Sequence, residues 1–189
     1  TLVAAEKAIR LAQAGVRTLF LCHNPYLAKH VKDLTRGAPV EVWAFADWVR
    51  RTAGVSSEPD LATWTNYDEP DSVTLSKAFD ALTGSNGGFD AVIVDEGQDF
   101  RNEWWTVVEA ALAAPSSGTL YIFHDDNQAL LPYRAAYPID EPVIDLSRNC
   151  RNAGQIFELV RYFYSQAPEP ELALQGKGYV STVEVKQGK

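Results

Sequence analysis

Residues 89–100 read FDAVIVDEGQDF, and the rest of the chain is best approached from there. Residues 90–94 (DAVIV) make a short segment that is apolar after Asp90 and rich in β-branched side chains. That reads as a strand buried on both faces, as in a parallel sheet. The GSNGG at 84–88 is an emphatic breaker just before it. The run then delivers Asp95 and Glu96 side by side, followed by Gln98 and Asp99. Ligands of parallel α/β sheets bind outside the carboxyl ends of the strands. Two adjacent carboxylates at such an end suit nucleotide hydrolysis. One holds the Mg²⁺ that bridges the phosphates, and the next orients and deprotonates the attacking water. Acidic pairs also follow apolar runs in ordinary loops, so the neighbouring segments have to decide.

Outward from this strand the pattern alternates. Upstream, 2–14 is rich in helix formers and stops at Gly15. Residues 17–22 (RTLFLC) form a near-continuous apolar strand, 25–35 a helix, 40–43 a second strand and 45–53 a third helix. Residues 54–73 lack periodicity, and a short helix occupies 74–82. Downstream, 102–113 is helical, 119–123 (TLYIF) is a buried strand ending in HDDNQ, and 142–146 is another strand. A helix at 153–165 follows, then a Pro/Glu-rich stretch with one alternating strand at 179–185. The expectation is an α/β fold with a mostly parallel sheet and flanking helices. Three strand ends carry reactive side chains: Cys22-His23-Asn24, Asp95 to Asp99, and His124 to Gln128.

Composition bounds the reading. The chain has 189 residues, 46% apolar and 22% charged, which suits one compact domain with the start of another and excludes a disordered, collagenous or disulfide-stapled chain. No apolar run approaches the ~18 residues of a membrane span, and no signal-peptide pattern opens the chain. A cytoplasmic protein with two free thiols is expected. The net charge of −8 weighs against nucleic acid, but it is unevenly placed. Residues 61–146 hold three Lys/Arg against fifteen Asp/Glu, whereas 1–60 hold eight against six and 147–189 six against four. The flanks are free to meet phosphates; a solvated acidic surface is the plainer alternative.

Thr1 heads the first helix. A P-loop, GxxxxGK[ST], ends in a hydroxyl residue that ligates Mg²⁺, with a helix immediately after. TLVAAEKAIRLA is what should follow such a GK, which predicts that the chain begins inside a P-loop. An N-cap threonine would read the same locally.

Taken in series, these segments resemble superfamily 1 DNA helicases of the UvrD/Rep type. VIVDEGQDF (92–100) is similar to their Walker B motif, LYIFHDDNQAL (120–130) to the strand leading into GDxxQ, and DLSRNCRN (145–152) to the LxxNYRS motif. TLFLCHNPYLAKHV (18–31) resembles the Ia segment and VWAFADWVRR (42–51) the segment usually written TFH. The resemblance covers about residues 1–165. It implies a RecA-like P-loop NTPase fold, with 1–141 as the first lobe and 142–189 as the start of the second. A small excursion at 54–88 would replace a large inserted subdomain.

The resemblance also implies roles. Asp95 and Thr1 would hold Mg²⁺, and Glu96 would be the catalytic base. Gln128 would contact the γ-phosphate of ATP, with Asp125 and Gln98 in support. Arg151 would act as an arginine finger, which contributes on the order of 10³–10⁵ in rate. Cys22, His23, Asn24 and Phe45 would border a single-stranded DNA path, where each stacked base contributes about 1–3 kcal/mol; RNA is the alternative track. The intact protein would be a DNA repair helicase or translocase, and a chain lacking the P-loop lysine and most of the second lobe would turn over little ATP. The rivals are a non-translocating P-loop ATPase switch and a catalytically inert nucleic-acid-binding module of the same fold.

Departures from the family pattern are informative. His124 stands where Gly is usual, Cys150 replaces Tyr, and Ala44 and Ala46 replace Thr and His. Trp104 and Trp105 read as core, His30 as a solvated helix residue, and Tyr162 to Tyr164 as the apolar face of a helix.

Overall fold

The computed structural model describes residues 1–55, 69–84, 88–113, 118–125, 136–139, 143–146 and 181–187. In chain order the elements are α1 (Leu2–Gln13), β1 (Thr18–Cys22), α2 (Pro25–Leu34), β2 (Val40–Ala44), α3 (Phe45–Thr52), α4 (Ser72–Thr83), β3 (Ala91–Asp95), α5 (Asn102–Ala110), β4 (Thr119–His124), β5 (Val143–Leu146) and β6 (Ser181–Gln187). A single 3₁₀ turn, Gly97–Asp99, separates β3 from α5. Each of these begins within about two residues of its sequence-based position. The helix expected at 153–165 lies outside the described residues.

Strands β1 to β4 are all parallel and stand in the order β2-β1-β3-β4. Their side chains alternate between two separate cores. Leu19, Leu21, Val92, Val94, Leu120 and Ile122 face α3, α4 and α5. Phe20, Cys22, Ile93, Phe123, Val42 and Ala44 face α1 and α2. This period of two sends alternate residues to opposite faces, and helices cover both, so β1 and β3 are buried along their whole length. Helix α1 meets the sheet through Ala4, Ala5 and Ala8, whose small side chains let it lie close. Its end is marked by Gly15, which takes the left-handed conformation (φ 84°) that a Cβ disfavours.

Two features correct the sequence reading. The strand expected at 179–185 is β6, and it pairs antiparallel with β4; β5 pairs antiparallel with β6. The six-stranded sheet is therefore parallel on one side and antiparallel on the other. Helix α5 also stops at Ala110 rather than 113, because Leu112 leaves the helix to bridge Phe89 at the start of the β3 segment.

At the opposite edge β2 is the outermost strand. Its Trp43 ring lies 4.6 Å from Lys32 Nζ and 5.1 Å from the Arg51 guanidinium, while Nε1 donates to Glu41 at 2.8 Å.

From β1 the chain passes to β2 on one side and then to β3 on the other. The strand order thus reverses between β1 and β3, and the crevice outside their carboxyl ends is where open α/β sheets bind ligands. Cys22 and Asp95, the last residues of these two strands, are register partners.

Candidate active site

Strand β3 ends in Asp95, whose carboxyl group is buried at 1% exposure. Burial pushes its pKa up, and the neighbouring Glu96 charge adds to this; the amino terminus and the Thr1 hydroxyl, which hydrogen bonds to it, pull the other way. The Thr1 nitrogen is 3.4 Å from Asp95 Oδ1. Oδ2 is buried and has no hydrogen-bond partner among the described residues. An unsatisfied carboxylate oxygen inside a fold is costly, so it marks a place for a cation or a proton. Thr1 precedes α1 without a side-chain capping bond, so its hydroxyl is turned to Asp95 rather than to its own helix.

Glu96 departs from the strand abruptly. Its φ is 56° and ψ is 49°, the left-handed region, the one non-glycine residue with positive φ among the described residues. Such a conformation costs roughly 1–2 kcal/mol for a side chain with a Cβ. The kink lies between β3 and the 3₁₀ turn that begins at Gly97. The next residue must be small: a Cβ on Gly97 would lie 2.6 Å from Ile122 Cγ2 of β4. Gln98 follows, 3% exposed. Its Nε2 donates to Glu96 Oε2 at 2.7 Å, and its Oε1 accepts from the Asp125 backbone N–H at 3.0 Å. Asp99 is half-buried, and burial, with help from the Glu96 charge, raises its pKa to about 6.

Asp125 follows the last residue of β4, buried like the preceding His124. The His124 ring packs 4.2 Å from the Tyr137 ring, which also meets Trp105 edge-on. A residue with this much packing at the position where the helicase pattern has glycine is thereby accommodated. Gln128 and Arg151 lie outside the described residues, as do Cys150 and Tyr162 to Tyr164.

The end of β1 is built differently. Cys22 is fully buried, and its thiol donates to Asn24 O at 3.4 Å; burial pushes its pKa well above the ordinary thiol range. Asn24 caps α2, its Oδ1 accepting from Tyr26 N at 2.8 Å and Leu27 N at 3.3 Å. Phe45 has no exposure and stacks on Trp104 at 4.6 Å, with Phe100 and Trp48 against its other sides. The expectation that Cys22 and Phe45 border a nucleic-acid path therefore gives way to a core role for both, because neither presents surface to a base. His23 is partly exposed, lies nearly parallel to Trp104 at 5.8 Å, and is held below the ordinary histidine pKa by burial. Trp104 and Trp105 are core residues, as their sequence context suggests.

One participant was not legible in advance. The Arg101–Glu69 ion pair beside His23 joins the loop after β3 to the segment before α4, and no spacing rule links positions 69 and 101. Gly97 and Gln98 do carry a signal, since a small residue after the Asp-Glu pair and an amide two residues beyond it are what a tight turn at a strand end requires. Comparison of the chain with protein-family models, with curated proteins and with solved structures found no match.

Proposed function

We propose that this chain is the first RecA-like lobe of a superfamily 1 DNA helicase or translocase, with β5 and β6, read from sequence as the start of the second lobe, joined to its sheet, and that the intact protein couples ATP hydrolysis to movement along single-stranded DNA. The observation that carries the reading is the buried, half-unsatisfied Asp95 carboxylate beside Thr1 at the switch point between parallel strands, followed by Glu96 in a left-handed backbone kink. Asp95 and the Thr1 hydroxyl are hard oxygen donors, which fits Mg²⁺, an ion that takes one or two protein ligands and completes its shell with water and phosphate. Asp95 and Thr1 would hold the ion, which would supply neutralisation of charge on the phosphates. Glu96 orients a water molecule and takes its proton, and its separation from Asp95 by a backbone kink lets the two carboxylates divide these tasks. Gln128 and Arg151 would complete the site from the γ-phosphate side.

A non-translocating ATPase of the same fold is the second reading, favoured by the burial of Cys22 and Phe45, which removes two of the four side chains assigned to a DNA path. One experiment separates the readings. ATP turnover by the full-length protein is measured with and without a saturating single-stranded oligonucleotide, for the parent and Glu96→Gln. The translocase reading expects DNA-stimulated turnover that falls by about 10²–10⁴-fold in Glu96→Gln. Turnover that depends on Glu96 but ignores DNA supports the switch, and equal rates in parent and variant remove the hydrolase assignment.

A further inference from the structure

We infer that Gln98 is a positioning residue that ties the orientation of Glu96 to the carboxyl end of β4, so that the proposed base is set by the neighbouring strand as well as by its own. The inference rests on the reading of Glu96 as the base. The side-chain amide is planar and carries a donor and an acceptor at fixed separation. Here both are used, and on different elements: Nε2 holds Glu96 Oε2 at 2.7 Å, and Oε1 holds the Asp125 N–H at 3.0 Å. The two contacts also settle which end of the amide is which, since a backbone N–H requires the oxygen. Burial at 3% exposure leaves water little chance to replace either bond.

The side chain is matched to the span. Asparagine is one methylene short, and glutamate would set an acceptor-only carboxylate against Glu96 while keeping the bond to Asp125. Apolar residues leave the Asp125 N–H buried without its partner. The neighbouring close approach makes the linkage stiff, because Gly97 sits against Ile122 of β4 with no room for a Cβ. The β3 turn and the β4 end thus meet at two points one residue apart. Displacement of Asp125 pulls on Oε1, and the rigid amide passes it to Glu96. Since Asp125 stands three residues before Gln128 in the chain, the residue assigned to the γ-phosphate, this route would let the nucleotide state adjust the base.

The 189-residue chain carries a test that needs no nucleotide. The Asp125 amide is followed in ¹H–¹⁵N correlation spectra of the parent, Glu96→Gln, Gln98→Leu and the double variant. Replacing the Glu96 charge weakens the bond to Nε2, depolarises the amide and weakens acceptance at Oε1. The Asp125 amide proton therefore moves upfield in Glu96→Gln, and the displacement vanishes when Glu96→Gln is made in the Gln98→Leu background. An Asp125 amide that ignores Glu96→Gln overturns the inference, as does a displacement that survives Gln98→Leu. If Gln98→Leu does not fold, the Glu96→Gln arm decides alone. In the full-length protein, Gln98→Leu should lower kcat by up to about 10²-fold with KM for ATP unchanged, and should add little to Glu96→Gln. Loss of turnover in Glu96→Gln with a normal Gln98→Leu would keep the hydrolase and discard the positioning role. Turnover indifferent to Glu96→Gln would discard the hydrolase, while the spectra still judge the bridge.

Discussion

Strands β1 and β3 end side by side in register, yet their ends are built for different purposes. At β1 the Cys22 thiol is held by a backbone carbonyl, the Asn24 side chain by the N-terminus of α2, and His23 stacks on Trp104. At β3 a buried carboxylate oxygen is left over, the backbone is bent into a left-handed conformation, and a glutamine reaches across to the next strand. A place at the ligand edge of a parallel sheet is thus shared by both, but capacity to act on a ligand belongs to the end whose groups are not consumed by the fold. Strain and an unsatisfied oxygen are tolerated where something else repays them.

The sharpest attempt to break this contrast is Glu96→Gln, whose expected loss of about 10²–10⁴-fold in turnover has no counterpart at β1. Phe45→Ala comes next. It removes a ring packed among Phe100, Trp48 and Trp104 and should cost about 3–5 kcal/mol in a denaturant unfolding midpoint. The milder Phe45→Leu should leave any stimulation by single-stranded DNA intact; loss of stimulation in a folded Phe45→Leu protein would return this residue to a nucleic-acid path. Asn24→Ala should cost about 1 kcal/mol of stability through the lost cap, with the ATP rate unaltered. A collapse in ATP rate there would mean that the end of β1 does more than hold α2.

The last contrast concerns Asp99, whose effect depends on pH. Its native pKa of about 6 lies above the ordinary aspartate value near 3.9, so the native state binds its proton more tightly than the unfolded chain. Folding therefore gains as pH falls from about 6 to about 4, and the ionised group weighs against the fold above that window. Asp99→Asn should accordingly raise the melting temperature at pH 7.5, and the advantage should shrink as pH falls and vanish near pH 4. An advantage independent of pH would assign the gain to something other than the buried charge.

Much of the scaffold was legible because both-face burial writes itself into β1, β3 and β4 as unbroken apolar runs, and because Gly15 and the GSNGG stretch punctuate the chain. Asp95 and Glu96 were legible for the same reason, as charges that follow such a run. What escaped was decided in three dimensions. Whether Phe45 stacks on a base or on Trp104 depends on where α5 lies, and nothing local to 42–51 encodes that. Asn24 reads from sequence as a contact residue, and its role as the cap of α2 appears only in the structure. The antiparallel place of β6 next to β4 comes from pairing across about sixty residues, which an alternating pattern at 179–185 does not specify. Gln98 stood in plain sight, but its partner N–H belongs to another strand.

The covered tryptophan at the far edge bears on a separate matter, the behaviour of the chain in concentrated solution. An outermost strand offers a row of backbone donors and acceptors to any other strand that approaches, and an indole beside it would reward the encounter. With Lys32 and Arg51 lying over Trp43, a second strand has to displace two cations, and an identical molecule brings two more of like sign. The pair act as gatekeepers against self-templating, at the side of the sheet remote from β5 and β6.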